Sequence, residues 1–329
     1  MPVANKPILF YGLETLAQAG IREIGVIVGE TKDEIVKALG DGKKWGVHIT
    51  YIDQPEPLGL AHAVFTAKHF LKDSAFVMYL GDNLLKNGIV SLIDQFRKEQ
   101  PNSQILLAAV PNPESFGVAE LKNDRVIRLE EKPKMPRSNM ALVGVYMFDS
   151  HIFEAEAVLR PSARGELEIT DAIQYLIDQG YKVQPHVVEG WWKDTGKLED
   201  MLEANRLVLE SLPRSIEGDV DQHSRIDGRV VIEKGARVIS STIRGPVIIG
   251  QNSIVENAFI GPFTSIQDDC EIRHSEVQHS ILLHGSKIKN LQRRVEDSLV
   301  GVNVEICRGE KPPEAYRFLV GDNSRIEIY

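Results

Sequence analysis

Apolar and polar residues alternate along the first part of the chain in the pattern of a sheet covered by helices. Apolar residues recur with helical spacing from Ile8 to Ala17, and the continuous apolar run Ile24–Val28 follows as a buried strand. The same alternation continues as strand Val47–Ile52, helix Leu60–Leu71, strand Phe76–Leu80, helix Ile89–Lys98 and strand Ile105–Val110. We therefore predict an α/β domain of Rossmann-like type with a mostly parallel sheet.

The beginning of the chain departs from this pattern, because it opens almost directly on a helix. A crossover helix normally returns from a preceding strand. In doubly wound folds the turn after that first strand is the usual phosphate cradle. The pattern therefore predicts a sheet whose first strand, with its turn, is missing.

Short extended segments occupy residues 117–148, which is typical of antiparallel strands beside a parallel sheet. The pattern then predicts helices Ser150–Leu159 and Ile169–Gln179, strand Lys182–Val188 and a last helix Leu198–Leu212. A boundary follows at Pro213–Ser215, so the first domain is expected to span residues 1–213.

Beyond that boundary, apolar residues recur every six positions in three phased triplets, with Gly and Asn between them. The triplets are Ile226, Ile232, Val238; Ile243, Ile249, Val255; and Ile260, Ile266, Ile272, with rougher continuations at Leu282, Ile288, Val295 and Val300. Hexapeptide spacing predicts a parallel β-helix over residues 214–329. The tail Tyr316–Val320 is expected to form a final strand or cap.

Composition narrows the class of protein. The 329 residues are 43% hydrophobic and 26% charged, and no apolar run approaches the ~20 residues that a bilayer requires. A formal net charge of −9 argues against a nucleic-acid surface. Two cysteines form neither a disulfide framework nor a metal site, and no targeting signal is visible, so we expect a cytoplasmic protein.

Two strand ends carry aspartates that could share a metal ion. The apolar run ending at Leu80 is followed by Gly81 and Asp82, and Trp191–Gly196 places Asp194 at another strand-to-helix junction. Ligands of open α/β sheets bind at such strand ends. Mg²⁺ usually takes one or two carboxylates plus substrate phosphates. Capping of a following turn is the alternative interpretation for each aspartate.

Two further segments have side chains suited to a nucleotide and a sugar phosphate. In Gln54–Ala61, Gln54 offers a paired donor and acceptor for a pyrimidine edge, and Gly59 permits close approach of a flat ligand. In Glu130–Pro133, a carboxylate and an ammonium could bind a hydroxyl and a phosphate. The structural alternative for Gln54–Ala61 is an ordinary Pro-rich loop, and the alternative for Glu130–Pro133 is a solvated strand end.

Together these motifs resemble the sugar-1-phosphate nucleotidylyltransferase family, and most closely its long-form glucose-1-phosphate thymidylyltransferases, which carry a C-terminal left-handed β-helix. The matching stretches are Pro2–Ile8, Gln54–Ala61, Leu80–Asn83, Phe116–Val118, Glu130–Pro133, Gly165–Asp171 and Trp192–Gly196. The resemblance implies transfer of a nucleotidyl group from dTTP to glucose-1-phosphate, with Mg²⁺ as cofactor and release of pyrophosphate.

The resemblance also implies roles for individual residues. The implied catalytic residues are Asp82, Lys132 and Asp194, of which Asp82 and Asp194 would hold Mg²⁺. The implied contacts to the nucleotide come from Gln54, Gly59 and Asp82, and those to the sugar phosphate from Gly117, Glu131, Lys132 and Gly144. The β-helix is expected to mediate homo-oligomerisation.

One family feature is missing from this sequence. Ahead of the segment matching Pro2–Ile8, the family carries a first strand, a Gly-Gly-x-Gly-x-Arg-Leu loop that wraps the triphosphate, and a catalytic lysine. We therefore expect that the start was assigned too late or that the chain is a fragment, with little transferase activity as written.

Three other functions stay open at this stage. Uridylyl transfer to glucose-1-phosphate is the nearest, because Gln54 can pair with uracil as well as thymine. A non-catalytic regulatory or sugar-nucleotide-binding subunit would also keep Asp82, Lys132 and Asp194. Acetyl transfer on the β-helix is the third. His274, His279 and His284 could align on neighbouring coils as an acyltransferase base or as a metal site, and the alternative is that they are ordinary polar residues of the solenoid surface.

Overall fold

The computed structural model describes residues 1–309 and 324–328, so the predicted strand or cap at Tyr316–Val320 lies outside the described residues. The helices are α1 Ile8–Gln18, α2 Lys32–Leu39, α3 Leu60–Thr66, α4 Lys68–Leu71, α5 Val90–Glu99, α6 Ile169–Asp178 and α7 Leu198–Leu209. The strands up to α7 are β1 Pro2–Val3, β2 Lys6–Pro7, β3 Glu23–Val28, β4 His48–Asp53, β5 Phe76–Tyr79, β6 Asn83–Leu85, β7 Ser103–Ala109, β8 Gly117–Lys122, β9 Arg125–Glu131, β10 Met140–Phe148, β11 Val183–Val187 and β12 Trp192–Asp194.

Short strands follow α7. They are β13 Ser215–Ile216, β14 Asp219–Val220, β15 Arg225–Asp227, β16 Val230–Ile232, β17 Arg237–Ile239, β18 Thr242–Arg244, β19 Val247–Ile249, β20 Ile254–Glu256, β21 Phe259–Ile260, β22 Thr264–Ile266, β23 Glu271–Arg273, β24 Glu276–Val277, β25 Ile281–Leu282, β26 Lys287–Lys289, β27 Leu299–Val300 and β28 Glu305–Cys307. Contacts divide the chain into two compact units, one of Met1–Pro2 with Lys6–Ala204 and the other of Val3–Asn5 with Asn205–Tyr329.

The first unit is the predicted α/β structure. Strands β3 and β4 form a parallel pair, and a separate six-stranded sheet has the order β11-β7-β10-β8-β9, with β5 also paired to β10. Strand β10 is antiparallel to β5, β7 and β8, so it lies within this sheet and not beside it. Its residues are buried along almost the whole strand, which suits an interior position.

Two predicted helices differ in detail from the structure. The helix predicted over Leu60–Leu71 is two helices that meet at Ala67, whose N–H contacts the carbonyls of both Ala63 and Val64, as in a tightened last turn. The segment predicted as a helix at Ser150–Leu159 is a 3₁₀ helix over Ser150–Ala157, with the Asp149 side chain accepting from the N–H of His151.

The second unit contains a parallel β-helix, as the hexapeptide spacing predicted. Each predicted apolar position stacks on its equivalent in the next coil. The three stacks are Ile226–Ile243–Ile260, Ile232–Ile249–Ile266 and Val238–Val255–Ile272. Ile232, Ile249 and Ile266 are fully buried, so the repeat forms one continuous core. Positive φ angles at turn residues such as Gly235 and Asn252 explain the glycines and asparagines that lie between successive apolar positions of a triplet.

No helix in the described part of the chain has the length and apolarity needed to cross a bilayer.

Candidate active site

The two predicted aspartates meet through a short antiparallel ribbon in the first unit. Strand β6 begins directly after Asp82, and it pairs with β12 so that Asp194 lies opposite Asn83. Thr195 stabilises the contact between the end of β12 and Asp82, because its N–H and its Oγ1 both donate to the carbonyl oxygen of Asp82, at 3.1 and 2.7 Å. The ribbon therefore places two carboxylates, more than 100 residues apart in sequence, at one edge of the unit.

The surroundings of Asp194 affect its titration. Burial, followed by the negative charge of Asp82, raises the pKa of Asp194 above that of an ordinary aspartate. The positive charge of Lys132 acts in the opposite direction on the same pKa. Lys132 is held in a left-handed backbone conformation at φ 41°. Its N–H donates to the carbonyl oxygen of Phe116.

Asn83 is the residue that orients this edge, and the sequence pattern did not single out its role. Its side chain is 1% exposed and donates from Nδ2 to Asp82 Oδ1 at 2.8 Å. Its Oδ1 accepts from the Trp192 indole at 2.6 Å and from the N–H of Gly144 at 3.1 Å. An asparagine after an aspartate is common at turns, so only the burial of its amide reveals this function.

Gly144 packs against the Asn83 amide. A Cβ at Gly144 would lie 2.6 Å from Asn83 Nδ2, so only glycine leaves room for this amide against β10. The family resemblance implied that Gly144 lines the sugar pocket. The contact seen in the structure is with the residue that orients Asp82.

A second carboxylate cluster surrounds Glu131, at the end of β9. Glu131 pairs with Gly117 across the β8–β9 ladder, and a Cβ at Gly117 would meet Glu131 Oε2 at 2.9 Å. Thr170 Oγ1 donates to Glu131 Oε2 at 3.4 Å, and Arg164 lies 3.6 Å from its other oxygen. Burial and then the charge of Glu168 raise the pKa of Glu131. No role was predicted for either residue: Thr170 lies in the matching stretch Gly165–Asp171 but was not singled out there, and Arg164 lies just before that stretch.

Tyr146 connects the two clusters. Its ring is 3% exposed on β10, and burial raises the pKa of its phenol, with further contributions from the charges of Glu131 and Asp194. The Phe116 ring, whose residue accepts the Lys132 N–H, packs against Trp192 of β12 with 5.5 Å between ring centroids, so the end of β9 lies beside the β6–β12 ribbon.

Gln54 and Gly59 form a further group at the end of β4. Gln54 Nε2 lies 2.9 Å from His62 Nδ1 and 3.4 Å from the Gly59 carbonyl oxygen. Gly59 has φ 105°, and a Cβ there would lie 2.6 Å from the carbonyl oxygen of Leu167. The loop before α3 is therefore packed against the loop before α6, and this close approach requires glycine.

The donors near Asp82 suit a hard divalent cation. Two aspartates with an exposed approach supply the one or two carboxylates that Mg²⁺ takes when substrate phosphates complete its shell. Within residues 1–309 and 324–328, no cluster of three or more Asp, Glu, His or Cys side chains could hold a metal by itself. A cation at this edge would therefore depend on oxygen atoms of a bound substrate.

The histidines of the β-helix do not form a metal cluster in the described residues. His279 contacts Asp297, and His284 lies 3.7 Å from Asp269, so the two make separate ion-pair contacts on the solenoid surface.

Comparisons with known proteins agree with this geometry. Residues 1–211 match the family model described as Nucleotidyl transferase. A glucose-1-phosphate thymidylyltransferase of Streptomyces antibioticus is 54% identical over 99% of this chain and 92% of its own length. One of Streptomyces griseus is 49% identical over all of this chain and 92% of its own.

A solved structure supports the same assignment. A crystal structure titled as a glucose-1-phosphate thymidylyltransferase from Bacillus anthracis superimposes with a TM-score of 0.61 at 34% identity, covering 65% of this chain and 87% of that one. The resemblance inferred from the motifs is confirmed by these matches, and the chain belongs to the nucleotidyl transferase family.

Proposed function

We propose that this protein transfers a thymidylyl group from dTTP to glucose-1-phosphate, giving dTDP-glucose and pyrophosphate. The observation that carries the proposal is the β6–β12 ribbon, which pairs Asp194 with Asn83 and thereby brings Asp194 next to Asp82. The names of relatives that match the whole chain at 54% and 49% identity support the choice of substrates.

In the proposed reaction, a phosphate oxygen of the sugar phosphate attacks the α-phosphorus of dTTP. The new P–O bond forms as the bond to pyrophosphate breaks, in line with the attack. Asp82 and Asp194 would hold Mg²⁺, which neutralises phosphate charge when it is bound. The protein's own contribution is positioning and charge, and it forms no covalent intermediate.

Individual side chains have roles that suit their surroundings. Lys132 offers an ammonium to the phosphate of the sugar, beside the two aspartates. Glu131 accepts a hydrogen bond from a sugar hydroxyl, with Gly117 leaving space next to its carboxylate. Gln54 presents its amide oxygen to the base, since its Nε2 already contacts His62 and Gly59. Gly59 lets the base approach the backbone of that loop.

Calorimetry and pyrophosphate release test this proposal with the 329-residue protein. We expect dTTP and glucose-1-phosphate to bind. The release of pyrophosphate, which the sequence predicts to be slow for this chain, should require Mg²⁺ and be at least about 100-fold slower still in Asp82→Asn and Asp194→Asn. Asp73→Asn, at an exposed aspartate, is the matched control and should behave as the wild type. Binding of neither substrate, or equal release from Asp82→Asn and wild type, would overturn it. Faster release from UTP than from dTTP would instead identify uridylyl transfer.

We also propose that residues 1–213 carry the transfer reaction and that residues 214–329 mediate self-association. A continuous β-helix core exposes a regular surface on each coil, which suits contacts between copies. Light scattering of the full chain measures this, and a monomer at micromolar concentration would contradict it.

A further inference from the structure

The side chain of Gln54 contacts a histidine for which the sequence predicted no role. Its Nε2 lies 2.9 Å from Nδ1 of His62 and 3.4 Å from the carbonyl oxygen of Gly59. His62 follows directly after the stretch Gln54–Ala61 that was expected to bind the base. Gln54 and His62 are both half-buried, so water does not surround either side chain.

Backbone hydrogen bonds fix both sides of this contact. The N–H of Gln54 donates to the carbonyl oxygen of Val28 at 2.8 Å, which joins it to the end of β3. On the other side, the N–H of Ala61 donates to the carbonyl oxygen of Leu167 at 3.0 Å. The start of α3, and His62 with it, is therefore held against the loop before α6.

Gly59 favours one orientation of the Gln54 amide. Its carbonyl oxygen can only accept a hydrogen bond, so it attracts Nε2 of Gln54 and repels Oε1. The same oxygen accepts from the N–H of Ala63 at 3.2 Å in the first turn of α3, so its own position is fixed. A contact of 3.4 Å is long for an N–H···O hydrogen bond, and a second acceptor is needed to hold the amide.

His62 supplies that second acceptor. The distance of 2.9 Å between its Nδ1 and Nε2 of Gln54 is that of a normal hydrogen bond. An NH₂ group only donates, so Nδ1 must be the unprotonated ring nitrogen, and the proton of the neutral imidazole must lie on Nε2 of His62. The other tautomer would direct two N–H groups at each other.

We propose that His62 is a positioning residue for base selection, because it holds Nε2 of Gln54 toward α3 and leaves Oε1 to accept from the base. With both hydrogens of Nε2 directed to His62 and Gly59, the amide offers the base an acceptor and no donor. Thymine and uracil carry a hydrogen at N3, whereas cytosine has a lone pair there. The consequence for the base rests on the proposed function, whereas the bond between His62 and Gln54 does not.

Two variants separate the acceptor of His62 from the space that its side chain fills. In His62→Asn, the side-chain oxygen can take the place of Nδ1, whereas His62→Leu has a similar size and no acceptor. Calorimetry with each 329-residue protein measures the Kd values of dTTP and dCTP. We expect wild type and His62→Asn to prefer dTTP by about 10- to 100-fold, and His62→Leu to lose roughly tenfold of that preference. His69→Leu, at an exposed histidine of α4, is the matched control and should keep the wild-type ratio.

The ratio of the two Kd values is the decisive quantity. A purely structural role of His62 would weaken both nucleotides equally and leave the ratio unchanged. An unchanged ratio in His62→Leu would therefore overturn the proposal, and so would an equal loss of preference in His62→Asn and His62→Leu.

NMR of the imidazole tests the contact without any nucleotide. Long-range ¹H–¹⁵N spectra of the labelled protein at pH 8 distinguish the two ring nitrogens, and the signals of His62 are those that disappear in His62→Asn. We expect Nε2 to be protonated and Nδ1 to be unprotonated, and a proton on Nδ1 would overturn the proposal. If neither nucleotide binds, the proposed function fails, while the ring protonation still decides whether His62 holds Gln54. A preference for dTTP that does not depend on His62 would leave the proposed function intact.

Discussion

Replacing Asn83 with alanine should destabilise the first unit and weaken its cation site. The substitution leaves the Trp192 indole N–H and the Gly144 N–H without their shared acceptor. Each buried, unsatisfied donor costs about 1–3 kcal/mol. Because Trp192 is only half-buried and water can reach part of it, we expect about 2–4 kcal/mol in total. Loss of the hydrogen bond that orients Asp82 should weaken Mg²⁺ binding about 10- to 100-fold.

Urea unfolding followed by tryptophan fluorescence measures the first effect. All three tryptophans, Trp45, Trp191 and Trp192, belong to the first unit, so the signal reports that unit. With a slope of about 2 kcal/mol per molar urea, the midpoint should fall by about 1–2 M.

The control for this measurement is Asn87→Ala. It removes an exposed asparagine whose Nδ2 donates to the Glu189 carbonyl oxygen, and it should change stability by less than about 0.5 kcal/mol. Equal midpoints for Asn83→Ala and Asn87→Ala would refute the reasoning. So would an unchanged Kd for Mg²⁺ when Asn83→Ala is titrated by calorimetry in the presence of saturating dTTP, whose phosphates complete the proposed site.

Three further outcomes are expected. Burial and then the charge of Asp82 raise the pKa of Asp194, so protons should compete with Mg²⁺ at a higher pH than for an ordinary aspartate. In calorimetry with saturating dTTP, the Mg²⁺ affinity should therefore fall as the pH drops through that raised pKa, and Asp194→Asn should lose this dependence. Gly117→Ala should displace the Glu131 carboxylate and raise KM for glucose-1-phosphate about tenfold, or about 1.4 kcal/mol, with KM for dTTP unchanged in steady-state assays. Gly59→Ala should cost about 3 kcal/mol in urea unfolding, against about 1 kcal/mol for Gly165→Ala, because both have positive φ but only the first would clash.

The fold was predictable where a local pattern repeats. In the β-helix, Ile232, Ile249 and Ile266 recur because each coil buries the same position, so spacing along the chain translates directly into stacking. The strand before Asp82 was visible for a similar reason, since a buried strand requires a continuous apolar run.

Pairings between distant segments were not predictable to the same degree. The position of β10 inside the six-stranded sheet depends on its contacts with β5 and β7, and an apolar run is equally compatible with an edge or an interior place. The roles of Arg164 and Thr170 likewise depend on the folding of α6 against β9, which brings them to Glu131.

The sequence by itself determined the two kinds of architecture and the candidate carboxylates, because apolar periodicity and strand-end aspartates are local features. Only the tertiary structure decided that Asp82 and Asp194 are neighbours and that a buried Asn83 orients Asp82. The physical reason is that such contacts depend on hydrogen bonds between segments far apart in the chain, and packing sets which segments meet.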